Sequence, residues 1–150
     1  MLKNIAIGAA LLAVAGVAYV RLSPSDIAAY HLAPKATEAG DTPGANSFKA
    51  ARQITAPAAD VLRAVDTVAL ATDRTQRVAG GVDEGLVTYE TRSAVMGFPD
   101  YTTVTVTEGA TGPLLVINGR SRFGASDVGV NRARVEGWLD QLGPLVMPAP

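Results

Sequence analysis

Sixteen consecutive residues, Ile5 to Val20 (IAIGAALLAVAGVAYV), carry no charge, and they follow directly on Met1-Leu2-Lys3-Asn4. An apolar run that begins at residue 5 and gives way to polar sequence suits a membrane better than the core of a soluble protein. Lys3 and Arg21 bracket 17 residues, which is about 25 Å of helix at ~1.5 Å per residue. A hydrocarbon core is about 30 Å thick, and the two basic side chains can reach the interfaces to make up the difference. Tyr19 stands where an interfacial aromatic belongs. A secretory signal also has a basic start and an apolar run, and Ala13-Val14-Ala15 offers a small-x-small site. That site lies inside the run, however, and Tyr19-Val20-Arg21-Leu22 after it is a poor cleavage context, so the reading is an uncleaved transmembrane anchor over residues 1–22. The amino group and Lys3 favour the cytoplasmic side, which puts the rest of the chain across the membrane.

The whole chain has 150 residues, room for one further domain. Thirteen basic residues against fourteen acidic ones give a net charge of -1, which argues against a general nucleic-acid binder. Without Lys3 and Arg21 the outer part carries about -3, so bulk charge does not hold it to anionic lipid. Cysteine is absent, which excludes disulfides, thiol catalysis and iron–sulfur clusters, and a single histidine, His31, disfavours a histidine metal site. No cofactor is expected.

Residues 23–47 read as a linker, with Pro24, Pro34, Gly40, Pro43 and Gly44 among small polar residues. Ser25-Asp26 could cap a short turn through Ile27–Tyr30 on the bilayer surface, and His31 is then a linker histidine. The folded domain is expected over residues 48–143, with 144–150 as a proline-rich tail, either loose or laid over a neighbour. Phe48–Thr55 suits a short strand, and Thr55 followed by Pro57 marks the start of a helix to about Ala71. That helix carries Val61, Leu62, Val65, Val68 and Ala69 on one stripe. Thr75–Ala79 suits another strand. Leu86–Val95, Tyr101–Glu108 and Leu114–Phe123 alternate apolar and polar residues, as strands of a one-sided antiparallel meander do. A last helix runs from Asp127 or Val128 to Leu142, capped by Ser126, with Val128, Val135, Trp138, Leu139 and Leu142 inward. The expected fold is α+β: a two-layer sandwich of an antiparallel β-meander with two amphipathic helices on one face, preceded by an N-terminal transmembrane helix.

Strand parity places Arg92, Arg120 and Arg122 on the polar sheet face with Glu90, while Asp100, Asp127, Arg132, Arg134 and Glu136 are near in sequence. Arg92, Arg120, Arg122, Asp127 and Arg132 form the candidate anion or ion-pair cluster, since guanidinium forks suit carboxylate and phosphate. Met96 and Phe98 at a hairpin tip, with Tyr101 beside them, are the candidate docking residues for a partner or a membrane. No nucleophile and base stand in a plausible constellation, and the glycine pairs do not follow nucleotide-loop spacing, so no enzyme is expected.

Thr91-Arg92-Ser93, Gly97-Phe98-Pro99-Asp100-Tyr101 and the run Ser121-Arg122-Phe123-Gly124-Ala125-Ser126-Asp127-Val128-Gly129-Val130-Asn131-Arg132-Ala133-Arg134-Val135 closely resemble the bacterial family known as domain of unknown function 1499. The resemblance covers about residues 48–142, and the residues from Arg21 to Asp26 look like those of alphaproteobacterial members. It implies a small α+β domain in the cell envelope and no activity. In physical terms Gly124 permits a tight turn, Ser126 caps, Gly129 lets the helix approach the sheet, and Arg122 and Arg132 could both reach Asp127.

The expectation is a single-pass protein of the bacterial inner membrane with its N-terminus cytoplasmic and a non-catalytic, periplasmic interaction domain. It would bind a protein partner, as an accessory subunit of a larger membrane complex. The alternatives are a small-ligand or anion-binding domain using the arginine-rich face, or a helix-grip-like lipid carrier, to which Ile54–Val61 bears a faint likeness.

Overall fold

The computed structural model describes residues 2–150. Helix α1 (Leu2–Leu22) takes up the apolar run. Its segment Lys3–Leu22 has mean hydropathy 2.1 and is almost wholly exposed, so it is long and apolar enough to cross a membrane. Beyond it lies one six-stranded antiparallel sheet: β1 (Gly40–Pro43), β2 (Ser47–Gln53), β3 (Thr75–Gly81), β4 (Leu86–Arg92), β5 (Pro99–Gly109) and β6 (Gly112–Ser121), in the order β1-β2-β6-β5-β4-β3. Strands β3 to β6 are the meander that the alternation predicts, and β2 adds to the free side of β6 with Ala50 opposite Ile117. Helices α2 (Ala58–Ala71) and α3 (Val130–Leu142) lie on one face.

The core forms where that face meets the helices. Val61, Leu62, Val65 and Ala69 of α2 and Val135, Trp138, Leu139 and Leu142 of α3 pack on Phe48, Ala50, Val87, Tyr89, Val104, Leu115 and Ile117. The Trp138 ring meets Tyr89 edge-on, with centroids 5.6 Å apart, and its Nε1 donates to Thr72 Oγ1 at 2.9 Å, tying the end of α2 to α3. Beneath α2, Tyr89 donates to Asp66 at 2.8 Å, and Arg77 donates to the other Asp66 oxygen. The buried tyrosine hydroxyl is thereby satisfied.

Several local expectations are corrected. The stretch expected to be a linker contains β1 and is packed onto the sheet, because the polar strand face holds hydroxyls that need covering partners. Thr55 does not cap α2; its hydroxyl donates to the Pro144 carbonyl at 2.5 Å and leaves Pro57 at the cap position. The C-terminal residues follow one of the two expected arrangements, a strip laid along β2 as far as Met147, whose N–H donates to Gln53 O at 2.8 Å. β4 ends at Arg92, so Val95 lies in the following turn and is 80% exposed. Helix α3 starts at Val130, and Val128, expected inside, is 93% exposed with φ +51°. Gly129, not Ser126, holds its N-cap position, and Asp127 two residues earlier accepts the Gly129 and Asn131 N–H groups at 3.1 and 2.9 Å. The glycine that lets α3 approach the sheet is Gly119, where a Cβ would sit 2.8 Å from Asn131 Oδ1. Gly129 has open space around it and supplies the left-handed turn, φ +83°.

Candidate functional site

Because side chains alternate across a strand, Thr88, Glu90 and Arg92 of β4 share the face away from the helices with Tyr101 and Thr103 of β5 and Arg120 of β6. The register confirms it: Glu90 is opposite Tyr101, and Tyr101 is opposite Arg120. This face is not open to solvent. Residues 23–39 run across it, and Tyr30 stacks on Tyr101 with ring centroids 4.2 Å apart.

Arg122 clasps the start of that segment. Its Nη1 donates to Ser23 O at 2.9 Å and Ser25 Oγ at 2.8 Å, and its Nη2 to Ser23 Oγ at 2.8 Å and Pro24 O at 2.9 Å. Arg120 holds the next turn, a 3₁₀ turn at Ile27–Ala29, by donating to Tyr30 O at 2.6 Å while its guanidinium lies 4.9 Å from the Tyr30 ring centroid. The turn expected on the bilayer surface is thus seated on the sheet. Burial pushes the Arg120 guanidinium below its usual value. Neither arginine has a carboxylate partner within ion-pair distance among the described residues.

Arg92 forks onto Glu90, with Nε 2.6 Å and Nη2 3.2 Å from its two oxygens. Glu90 also meets the Tyr101 hydroxyl at 3.0 Å, and Ser25 Oγ is 2.5 Å from that hydroxyl. A carboxylate only accepts, so Tyr101 donates to Glu90 and accepts from Ser25. Burial, with Glu90 beside it, pushes the Tyr101 hydroxyl above its ordinary value. His31 belongs to this face as well: its Nδ1 lies 2.9 Å from Thr88 Oγ1, which lies 3.0 Å from Thr103 Oγ1, which donates to Tyr30 O at 2.7 Å.

The five residues of the candidate cluster are therefore not one site. Arg92, Arg120 and Arg122 share the covered face and its rim. Asp127 and Arg132 belong to α3 and the turn before it. Arg132 pairs with Glu136 at 2.9 Å and lies over the Phe48 ring, and neither it nor Arg122 is bonded to Asp127. Burial alone would raise the Asp127 carboxyl, but the backbone donors of Asn131 and Gly129 outweigh it and hold the group below the ordinary range. Arg134 pairs with Asp100 at 2.7 Å, both nearly buried.

Among the docking residues, Tyr101 is fully buried and unavailable to a partner, since it faces the covered side of the sheet. Met96 and Phe98 are each 37% exposed. They stand at the root of α1, where Arg21 Nη2 donates to Val95 O at 3.0 Å. Phe98 packs 6.0 Å from Phe123, and Phe123 6.3 Å from Tyr19, centroid to centroid. A cleft of about 760 Å³ opens beside this hairpin, with Arg21, Arg74, Glu90 and Arg92 on its walls. Between sheet and helices the side chains pack as one core, with Tyr89, Val65, Leu115, Ile117 and Val135 at 0% exposure. Among the described residues no group of three or more His, Cys, Asp or Glu side chains could hold a metal ion.

The class that this geometry defines is a small α+β domain held tightly to the root of an exposed apolar helix. The chain belongs to the family described as proteins of unknown function (DUF1499), whose model matches residues 24–142. The match reaches back to residue 24 and so takes in most of the segment that Arg120 and Arg122 clasp, beyond the 48–142 over which the domain motifs resemble the family. Two solved structures are similar. The protein MLL2253 of Mesorhizobium loti is 14% identical, covering 66% of this chain and 95% of its own, with a TM-score of 0.49. The protein CV1439 of Chromobacterium violaceum is 20% identical, covering 69% and 99%, with a TM-score of 0.38. No curated protein matches the chain.

Proposed function

We propose that this protein is a single-pass, membrane-anchored binding protein, with its N-terminus cytoplasmic and its folded domain on the periplasmic side of a bacterial inner membrane. The domain acts by interaction rather than catalysis, as an accessory subunit of a larger membrane complex. The observation that carries this reading is the clasp: Arg122 and Arg120 donate to residues 23–30, directly after α1, so the domain is held close to the helix end in place of swinging on a tether. A fixed pose at the membrane is what a subunit docking in that plane requires. The orientation rests on the amino group and Lys3 at one end of an otherwise uncharged run.

The test is extraction of native membranes in a mild detergent, followed by size separation and mass spectrometry of what travels with the intact chain. Co-migration with a much larger assembly supports the accessory role; migration as a lone small protein overturns it. One observation favours a second reading, an anion site in the cleft beside the hairpin. Arg74 is held at φ +56° with its Nε donating to Arg92 O, which sets a third guanidinium on a wall shared with Arg21 and Arg92. Titration of the purified protein with inorganic phosphate tests it, and a response unchanged by Arg74→Ala removes it.

A further inference from the structure

We infer that the domain seats itself in the bilayer through a second apolar contact, formed by the β4–β5 hairpin tip and the loop before α3, beside the helix that anchors it. This rests on the anchored reading above and adds a lipid-contacting surface to it. Five side chains make the contact: Val95, Met96, Phe98, Phe123 and Val128. Val95 is 80% and Val128 93% exposed, unusual values for large apolar side chains in a folded domain. Phe98, Phe123 and Val128 line one shallow pocket of about 270 Å³, and Phe123 reaches Tyr19 of α1, so the patch continues into the helix.

Position argues for lipid as the occupant. Met96 shares a notch of about 470 Å³ with Ala13, Val14, Val17 and Ala18, inside the uncharged run. Val17 lies four residues before Arg21, about 6 Å deeper along a helix. If α1 crosses a bilayer, the hairpin tip, which Arg21 binds and which borders this notch, lies in the interfacial region at that end of the helix.

Backbone chemistry argues the same way. Apolar surroundings penalise an unpaired carbonyl by several kcal/mol, on the order of what a lost buried hydrogen bond costs. All four carbonyls from Val95 to Phe98 have protein donors: Arg21 Nη2 and Nε at 3.0 and 3.5 Å for Val95 and Met96, Arg92 Nη1 at 3.2 Å for Gly97, and the Ser93 N–H at 3.0 Å for Phe98. These four carbonyls are thus turned toward protein donors, while Val95 and Met96 present their side chains outward. No residue from Ser93 to Pro99 is charged. The charged groups that meet the tip, Arg21 and Arg92, are bound to its carbonyls, and in the loop before α3 Asp127 is turned onto the α3 backbone and Arg122 onto residues 23–25. Val128 adds an independent sign. A β-branched residue at φ +51° is strained, and full exposure of its side chain to water would add to that cost; immersion removes the second penalty.

The chain has no cysteine, so single spin labels report cleanly. Val95→Cys, Val128→Cys, Val14→Cys and Thr111→Cys in the full chain are labelled and reconstituted into vesicles of three parts phosphatidylcholine to one part phosphatidylglycerol. Collision with oxygen, which favours lipid, is compared with collision with a water-soluble nickel chelate. Thr111, on the turn at the far end of the sheet, is the aqueous reference. The expected result is an oxygen-to-nickel ratio at Val95 and Val128 several-fold above that at Thr111, approaching the ratio at Val14. A lipid-like Val14 with water-like Val95 and Val128 overturns the second contact and leaves the anchor standing. Shielding of Val95 and Val128 from both reagents overturns it in favour of a protein contact. A water-like Val14 removes the anchor and the inference together. Val95 and Val128 are exposed, so labelling them leaves the core untouched.

Discussion

Arg122 and Ser23 are joined twice, by Nη1 to the serine carbonyl at 2.9 Å and by Nη2 to its hydroxyl at 2.8 Å. They are 99 positions apart in the chain, so this is a tertiary contact that closes the end of the domain next to α1. Arg122→Ala removes four charge-assisted bonds at once and is expected to lower stability by about 3 kcal/mol. Residues 23–39 should become sensitive to limited proteolysis while the core keeps its protection. Arg122→Lys should restore only part of the loss, because an ammonium cannot fork onto both sides of a serine. Unchanged protease resistance in Arg122→Ala would contradict the clasp.

The chain His31–Thr88–Thr103–Tyr30 fixes proton positions. The Tyr30 carbonyl can only accept, so Thr103 donates to it and accepts from Thr88, which in turn accepts from His31. Neutral His31 therefore carries its proton on Nδ1. Nitrogen-15 NMR of the single imidazole should show the Nδ1–H tautomer, and Thr88→Val should shift it toward Nε2–H with a stability loss of about 1–2 kcal/mol. An Nε2–H tautomer in the unmutated protein would refute this order of donors.

Acid should loosen the domain through two carboxylates. Burial alone would raise the Asp66 carboxyl, but hydrogen bonds from Arg77 and Tyr89 outweigh it and hold the group below its ordinary value, as backbone donors do for Asp127. A carboxylate depressed in the folded state stabilises it above the unfolded pKa of about 4. That stabilisation is lost as the pH falls from there through the lower folded value. The melting temperature should thus be level from neutral pH down to about 5 and drop below 4. Asp66→Asn and Asp127→Asn should each flatten the drop, and an unaltered acid limb in both variants would refute the assignment.

Val128 tests strain against membrane contact. Asparagine tolerates the left-handed region that a β-branched residue resists, at a difference of about 1 kcal/mol. Val128→Asn should raise the urea midpoint in detergent and weaken vesicle contact. A lowered midpoint would mean that Val128 is not strained at φ +51°.

The sequence carried the helix-facing side of this fold because that side obeys simple periods. The 3.6-residue stripe of α2 and the alternation from Leu86 to Ser121 both place their apolar residues where the core lies. The opposite face was harder to read. Its polar residues suggested a solvated surface, and Pro24, Pro34 and Pro43 suggested a tether. One signal was present: Thr88, Thr103 and Thr105 are hydroxyls rather than charges, and all three are buried. Such a row suits a face that another segment covers, but which segment depends on contacts across about ninety residues that no local pattern encodes. The start of α3 was misplaced for a related reason. Ser126 and Asp127 are both residue types that cap well, but the left-handed Val128 and Gly129 carry the chain on to a glycine cap, with the Asp127 carboxylate reaching the Asn131 N–H from before it.

The most direct measurement of the central claim is alkaline carbonate extraction of membranes from cells making the full chain, followed by intact-mass analysis of pellet and supernatant. The account predicts that the protein stays in the pellet at the mass of the uncleaved chain. A soluble form shortened by the first twenty or so residues would contradict it.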